Sequence, residues 1–163
     1  AADGKIHKLS DYAGKWVVME WYNKDCPYVK KHYGSSNMQG LQKKYTGKGV
    51  IWLSVNSSAE GKEGYTDAKE AMKVAKDAKS NATAVLLDPT GVVGKAYGSK
   101  TTPHMFVIDP KGTVVYAGAI DDNNSSDPKV IAKSKNYVAA ALDAGMENKK
   151  IETTSTKRVR ARP

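Results

Sequence analysis

A chain of 163 residues, 40% hydrophobic and 26% charged, has the length of one domain with a single core. No apolar run approaches the roughly 20 residues of a membrane-crossing helix, and the single cysteine, Cys26, excludes an internal disulfide framework or an all-cysteine metal site. The formal charge of +9 falls to +5 without Lys157, Arg158, Arg160 and Arg162, so the body is a lysine-coated surface with interspersed acids and not a nucleic-acid interface.

Residues 15–22 form the first β-rich run, opened by the turn pair Ala13-Gly14. Residues 27–45 carry a helical stripe of Tyr28, Val29, His32, Tyr33, Met38, Leu41 and Tyr45, interrupted at Gly34-Ser35-Ser36. A second strand spans 50–56. Residues 67–79 place Ala68, Ala71, Met72, Ala75 and Ala78 on one face of a helix, with Thr66 as its expected N-cap. A third strand spans 84–88, and the first three strands are apolar enough to be buried on both faces.

Two turns repeat one design, Asp88-Pro89-Thr90-Gly91 and Asp109-Pro110-Lys111-Gly112. A short helix follows the first; the second joins strands 105–109 and 113–117 into a hairpin. The last helix is expected as one unit, with Asp127 as cap, Pro128 at its first position and Gly145 as its stop. Alternation followed by a hairpin and a helix predicts an α/β domain, a mixed sheet with helices on both faces. Its expected extent is residues 1–148, with 149–163 a basic, flexible C-terminal tail that lacks apolar periodicity. No uncleaved signal peptide is expected; a signal removed before Ala1 is left open.

Cys26 follows a buried strand and opens a helix between Asp25 and Pro27. The partial positive charge of a helix N-terminus, the free N–H groups of its first turn and the nearby Lys24, Lys30 and Lys31 would each favour a thiolate. A packing cysteine belongs in an apolar strand, not at such a junction. His32, six residues on, is about 240° round the helix and points away, so the two do not share a metal. His104 follows Pro103 and is read as a polar neighbour of the sulfur. Neither metal nor organic cofactor is expected.

On these residues the chain resembles the thioredoxin-like superfamily, in particular its redoxin branch of alkyl hydroperoxide reductase/thiol-specific antioxidant and TlpA-like proteins. Asp3-Gly4-Lys5, His7, Leu9-Ser10-Asp11-Tyr12 and Gly14-Lys15 are similar to the opening segment of that branch. Residues 21–29 resemble its active-site stretch, Thr102-Pro103 its cis-proline loop, and residues 109–116 its closing hairpin. The resemblance implies a catalytic Cys26, with Trp21, Tyr22, Asn23, Asp25, Pro27, Tyr28, Thr102, Pro103 and His104 lining the site. It also implies Glu20 as a buried proton relay with a raised pKa.

The departures are equally definite. Val29 stands where a dithiol enzyme has its second cysteine. Met19 and Asn23 stand where typical peroxiredoxins carry Pro and Thr, and no arginine precedes Arg158. The implied function is a one-cysteine thiol–disulfide oxidoreductase or thiol peroxidase acting as an antioxidant. An external thiol or thiol-protein would resolve its oxidised form. The competing reading is a non-catalytic thioredoxin-like module that binds peptide or protein. The resemblance points to the bacterial periplasm or a secreted location, with the cytoplasm as the alternative.

Overall fold

The computed structural model describes residues 1–156. Five strands, β1 (Val17–Trp21), β2 (Ile51–Asn56), β3 (Ala84–Leu87), β4 (His104–Ile108) and β5 (Val114–Gly118), form one sheet in the order β3-β2-β1-β4-β5. β1 pairs in parallel with β2 and antiparallel with β4, so the sheet is mixed, as the alternation followed by a hairpin requires. The helices are α1 (Pro27–Gly34), α2 (Asn37–Thr46), α3 (Ala68–Asp77), α4 (Val92–Tyr97) and α5 (Tyr137–Met146).

Side chains alternate across β1 and divide the core in two. Val18 joins Trp52, Met105, Val107, Met38, Tyr45, Val138 and Leu142 on the face covered by α2 and α5. Val17, Met19 and Trp21 join Leu53, Val55, Phe106 and Ile108 on the other face, beneath Tyr12 and Tyr97. Val138 and Leu142 are fully buried, each contributing about 1.5–3 kcal/mol of hydrophobic stabilisation.

The stripe over 27–45 is two helices, interrupted at Gly34-Ser35-Ser36 as the sequence indicates, where Ser36 takes the left-handed conformation (φ 62°). Other boundaries differ from the pattern. Asp67, not Thr66, caps α3 by accepting the Glu70 N–H; Thr66 is buried and holds Asn56 instead. β3 is only half-buried because it is the sheet edge. The last helix is a 3₁₀ segment, Pro128–Lys133, and then α5. Ser134 is extended between them, Lys135 accepts the Asp122 N–H, and Asn136 starts a new cap on the Ala139 N–H.

The expected tail does not leave the domain at residue 149. Residues 154–156 lie beside β5: the Ala117 N–H donates to Thr154 O at 3.0 Å and the Thr156 N–H to Ala117 O at 3.3 Å. Ile151 packs partly buried against the core. The four tail cations lie outside the described residues. No helix among the described residues is long and apolar enough to cross a membrane.

Candidate active site

β1 delivers the chain to one end of the sheet, where Tyr22 N–H still pairs with Val55 O at 2.8 Å. Asn23 then organises the turn: its backbone O accepts the Cys26 N–H at 3.1 Å and its Oδ1 the Asp25 N–H at 2.8 Å. Gly64 (φ +78°) lies so close that a Cβ there would overlap the Asn23 side chain. The turn leaves Cys26 at the N-cap of α1 with Pro27 at the first helical position, where a missing N–H costs nothing.

Cys26 is 4% exposed, and its Sγ donates to Thr102 O at 3.1 Å. The Thr102–Pro103 peptide is cis. Two segments 76 residues apart therefore meet at the sulfur. The register explains the meeting: Trp21 at the end of β1 lies opposite His104 at the start of β4. His104 is buried, its ring tilted 32° over Phe106 at 4.4 Å between centroids.

The electrostatics differ from the expectation. The sulfur makes no capping bond to a first-turn N–H. Lys24 pairs with Asp25 at 3.0 Å, Lys30 is exposed, and Lys31 is buried facing Asp121 at 3.7 Å. The three lysines near in sequence thus have other partners or solvent, because the turn and helix aim them elsewhere. Trp21 also departs from the wall position. It lies in the second core against Tyr97 and Phe106, and its indole N–H donates to Ser57 Oγ at 3.0 Å. Tyr28, half-buried in the first turn of α1, donates its hydroxyl to Asn124 O at 2.9 Å.

Glu20 is fully buried on the α2 face. Tyr33 Oη donates to its Oε2 at 2.6 Å; Trp52 Nε1, Gln42 Nε2 and Ser54 Oγ donate to Oε1 at 2.8, 3.2 and 3.4 Å. Burial pushes the carboxyl above the usual carboxylate range, while these four donors pull it back. Burial, followed by the charge of Glu20, raises the Tyr33 phenol well above its ordinary value. Tyr22, packed edge-on against Tyr33 with centroids 5.3 Å apart, is pushed by burial up to about 12.

Sequence reasoning missed Gln42, Trp52, Gly64, Asn124 and Asp121. Gln42 carried a legible signal: an amide between Leu41 and Tyr45 on a buried stripe needs a buried partner. The others depend on contacts between distant segments. Among the described residues, no three His, Cys, Asp or Glu side chains are grouped to hold a metal ion.

A mixed sheet with a cysteine at the start of α1 and a cis-proline loop against its sulfur defines a thioredoxin-like protein. The AhpC/TSA family model matches residues 1–117, and the chain belongs to that family. An uncharacterized conserved protein of Geobacillus kaustophilus is similar over 99% of this chain and 86% of its own, with 27% identity and a TM-score of 0.81. A Chlorobium tepidum protein provisionally named thiol:disulfide interchange protein DsbE is 29% identical over 67% of this chain and 70% of its own, with a TM-score of 0.53. The thioredoxin domain of a Bacteroides vulgatus thiol-disulfide oxidoreductase, 22% identical, shares the fold over 71% of this chain and 77% of its own, with a TM-score of 0.55. No functionally curated protein matches the sequence.

Proposed function

We propose that this redoxin-family chain is a one-cysteine thiol–disulfide oxidoreductase in which Cys26 is the reacting thiol and Thr102-Pro103 receives the substrate. The observation that carries the reading is the 3.1 Å contact between Cys26 Sγ and Thr102 O beside the cis-proline. In the resting site the Cys26 S–H points at Thr102 O. A substrate strand that donates its own N–H to that oxygen displaces the thiol, which then loses its proton to water and is free to react as the thiolate.

The Cys26 thiolate attacks one sulfur of a disulfide, forming a mixed disulfide and releasing the other sulfur as a thiolate. With one cysteine in the chain, a thiol from outside attacks the mixed disulfide, restores Cys26 and leaves with the substrate sulfur. Disulfide is favoured over peroxide because the sulfur makes no capping bond to the first turn of α1 and Lys24 and Lys31 pair with Asp25 and Asp121, so these groups do not stabilise a leaving oxygen. Asn23, Asp25 and Pro27 shape the turn, Tyr22, Tyr28 and His104 are assigned to the walls of the site, and Glu20 to proton relay from beneath the sheet end. A periplasmic or secreted location belongs to the same reading.

Intact-mass analysis after a stoichiometric model disulfide checks this. The expected result is one adduct on Cys26, absent in Cys26→Ser and removed by excess small thiol. A faster reaction with hydrogen peroxide than with disulfide assigns the peroxidase activity instead. A thiol inert to both, in a chain that still binds peptide, replaces the enzyme with a binding module.

A further inference from the structure

Lys31 lies on α1, little more than one turn beyond Cys26, and its side chain has no exposed surface. Its Nζ is 3.5 Å from Asn123 O and 3.7 Å from Asp121 Oδ2. His32 Nε2 is 3.7 Å from the same carboxylate oxygen. His32 Nδ1 accepts from Asn37 Nδ2 at 2.8 Å, which leaves the ring proton on Nε2, toward Asp121. Asp121 Oδ1 in turn accepts the Asn123 N–H at 3.1 Å, and Tyr28 holds Asn124 O. The loop after β5 is thus fastened to α1 through Asp121, Asn123 and Asn124.

Taking an ammonium and a carboxylate out of water costs several kcal/mol, and a pair 3.7 Å apart offsets only part of it. An apolar pair of the same volume would pack α1 to the loop at lower cost, so what these charges add is position. The place they fix is informative. Met105 lies opposite Gly118, so the chain leaves β5 at the sheet end that carries Thr102-Pro103 and Cys26. The loop is tied to α1 at Tyr28, two residues beyond Cys26, and Asn124 and Ser126 face solvent there.

We infer that Lys31 and Asp121 form a buried latch that sets the loop of residues 121–124 as a wall beside Cys26, across from Thr102-Pro103, for an extended polypeptide disulfide and not a small one. Lys31 and Asp121 are positioning residues; neither touches the reacting sulfurs. The inference rests on Cys26 as the reacting thiol.

The test compares mixed-disulfide formation on the full chain with cystamine and with a decapeptide bearing one activated disulfide, in Asp121→Asn, Lys31→Met and the double variant Lys31→Met/Asp121→Leu. The double variant strands no buried charge and so keeps the comparison open if either single variant fails to fold. In each folded variant the peptide reaction is expected to fall about tenfold through KM, with the cystamine rate within about twofold of wild type. Amides of residues 119–127 are expected to exchange with deuterium about tenfold faster. Equal losses with both probes, or an unchanged peptide rate, overturn the positioning role. Unchanged deuterium exchange in this loop overturns the latch. A wild-type chain that reacts with neither disulfide overturns the reading of Cys26, and the deuterium exchange still decides the latch.

Discussion

At the residue scale, the buried groups around α1 separate by the sign of their response to acid. Burial, followed by the charge of Lys31, lowers the His32 pKa from 6.5 to about 4. The unfolded chain therefore binds a proton at this residue between pH 6.5 and 4 that the folded chain refuses. Stability from this group is complete above 6.5 and is lost as pH falls toward 4, on the order of 3 kcal/mol over the window. Glu20 and Asp121, both raised by burial, contribute with the opposite sign, losing stability as pH rises through their folded values. Urea unfolding of wild type and His32→Asn separates these contributions. Between pH 6.5 and 4 the wild type is expected to lose more stability than the variant; parallel curves would show that His32 is protonated in the folded chain.

At the scale of elements, the turn from β1 into α1 depends on a glycine far along the chain. Gly61 and Gly64 both have positive φ, +76° and +78°, but a Cβ at Gly61 meets open space while one at Gly64 overlaps Asn23. Gly61→Ala is expected to cost about 1 kcal/mol of backbone strain, and Gly64→Ala roughly 1–3 kcal/mol more because Asn23 must release the Asp25 N–H. Only Gly64→Ala should also alter the rate at which iodoacetamide alkylates Cys26. Equal effects from both would remove Asn23 from the control of the site. No local pattern announces this coupling, since Gly64 lies in an irregular loop held by the buried Asn56 amide at 2.9 Å. What the pattern did carry was periodicity and punctuation: the runs at 15–22 and 50–56, the Asp-Pro-x-Gly hairpin turn, and the Asp25-Cys26-Pro27 junction. It failed where a distant partner decides. Val130 and Ile131 continue the stripe of α5, yet the bridge between Asp121 and Asn136 breaks the helix there. The lysines beside Cys26 likewise read as support for a thiolate until the helix phase sent Lys31 inward to Asp121.

At the scale of the molecule, the sheet is finished by a segment with no strand pattern of its own. β5 is the last strand in the order, and an open edge there would present unpaired N–H and C=O groups. Residues 154–156 cover part of it, and Thr156 closes the arrangement: its Oγ1 accepts the Ala119 N–H at 2.9 Å and lies 2.9 Å from Tyr116 Oη. Gly118 leaves the room, since a Cβ there would overlap Thr156. The contact joins the C-terminal segment to the strand end from which the loop of residues 121–127 departs. Thr156→Val keeps the shape and removes the acceptor, leaving the Ala119 N–H without it. The expected cost is about 1–3 kcal/mol, or a fall in Tm of roughly 2–4 °C per kcal/mol for a chain of this size. A chain ending at Thr153 should lose more, because the Ala117 N–H and C=O also lose their partners, and its β5 edge should promote self-association. Calorimetry and light scattering on the two variants check this. If Tm and particle size stay at the wild-type values in both, the segment rests on the sheet without holding it.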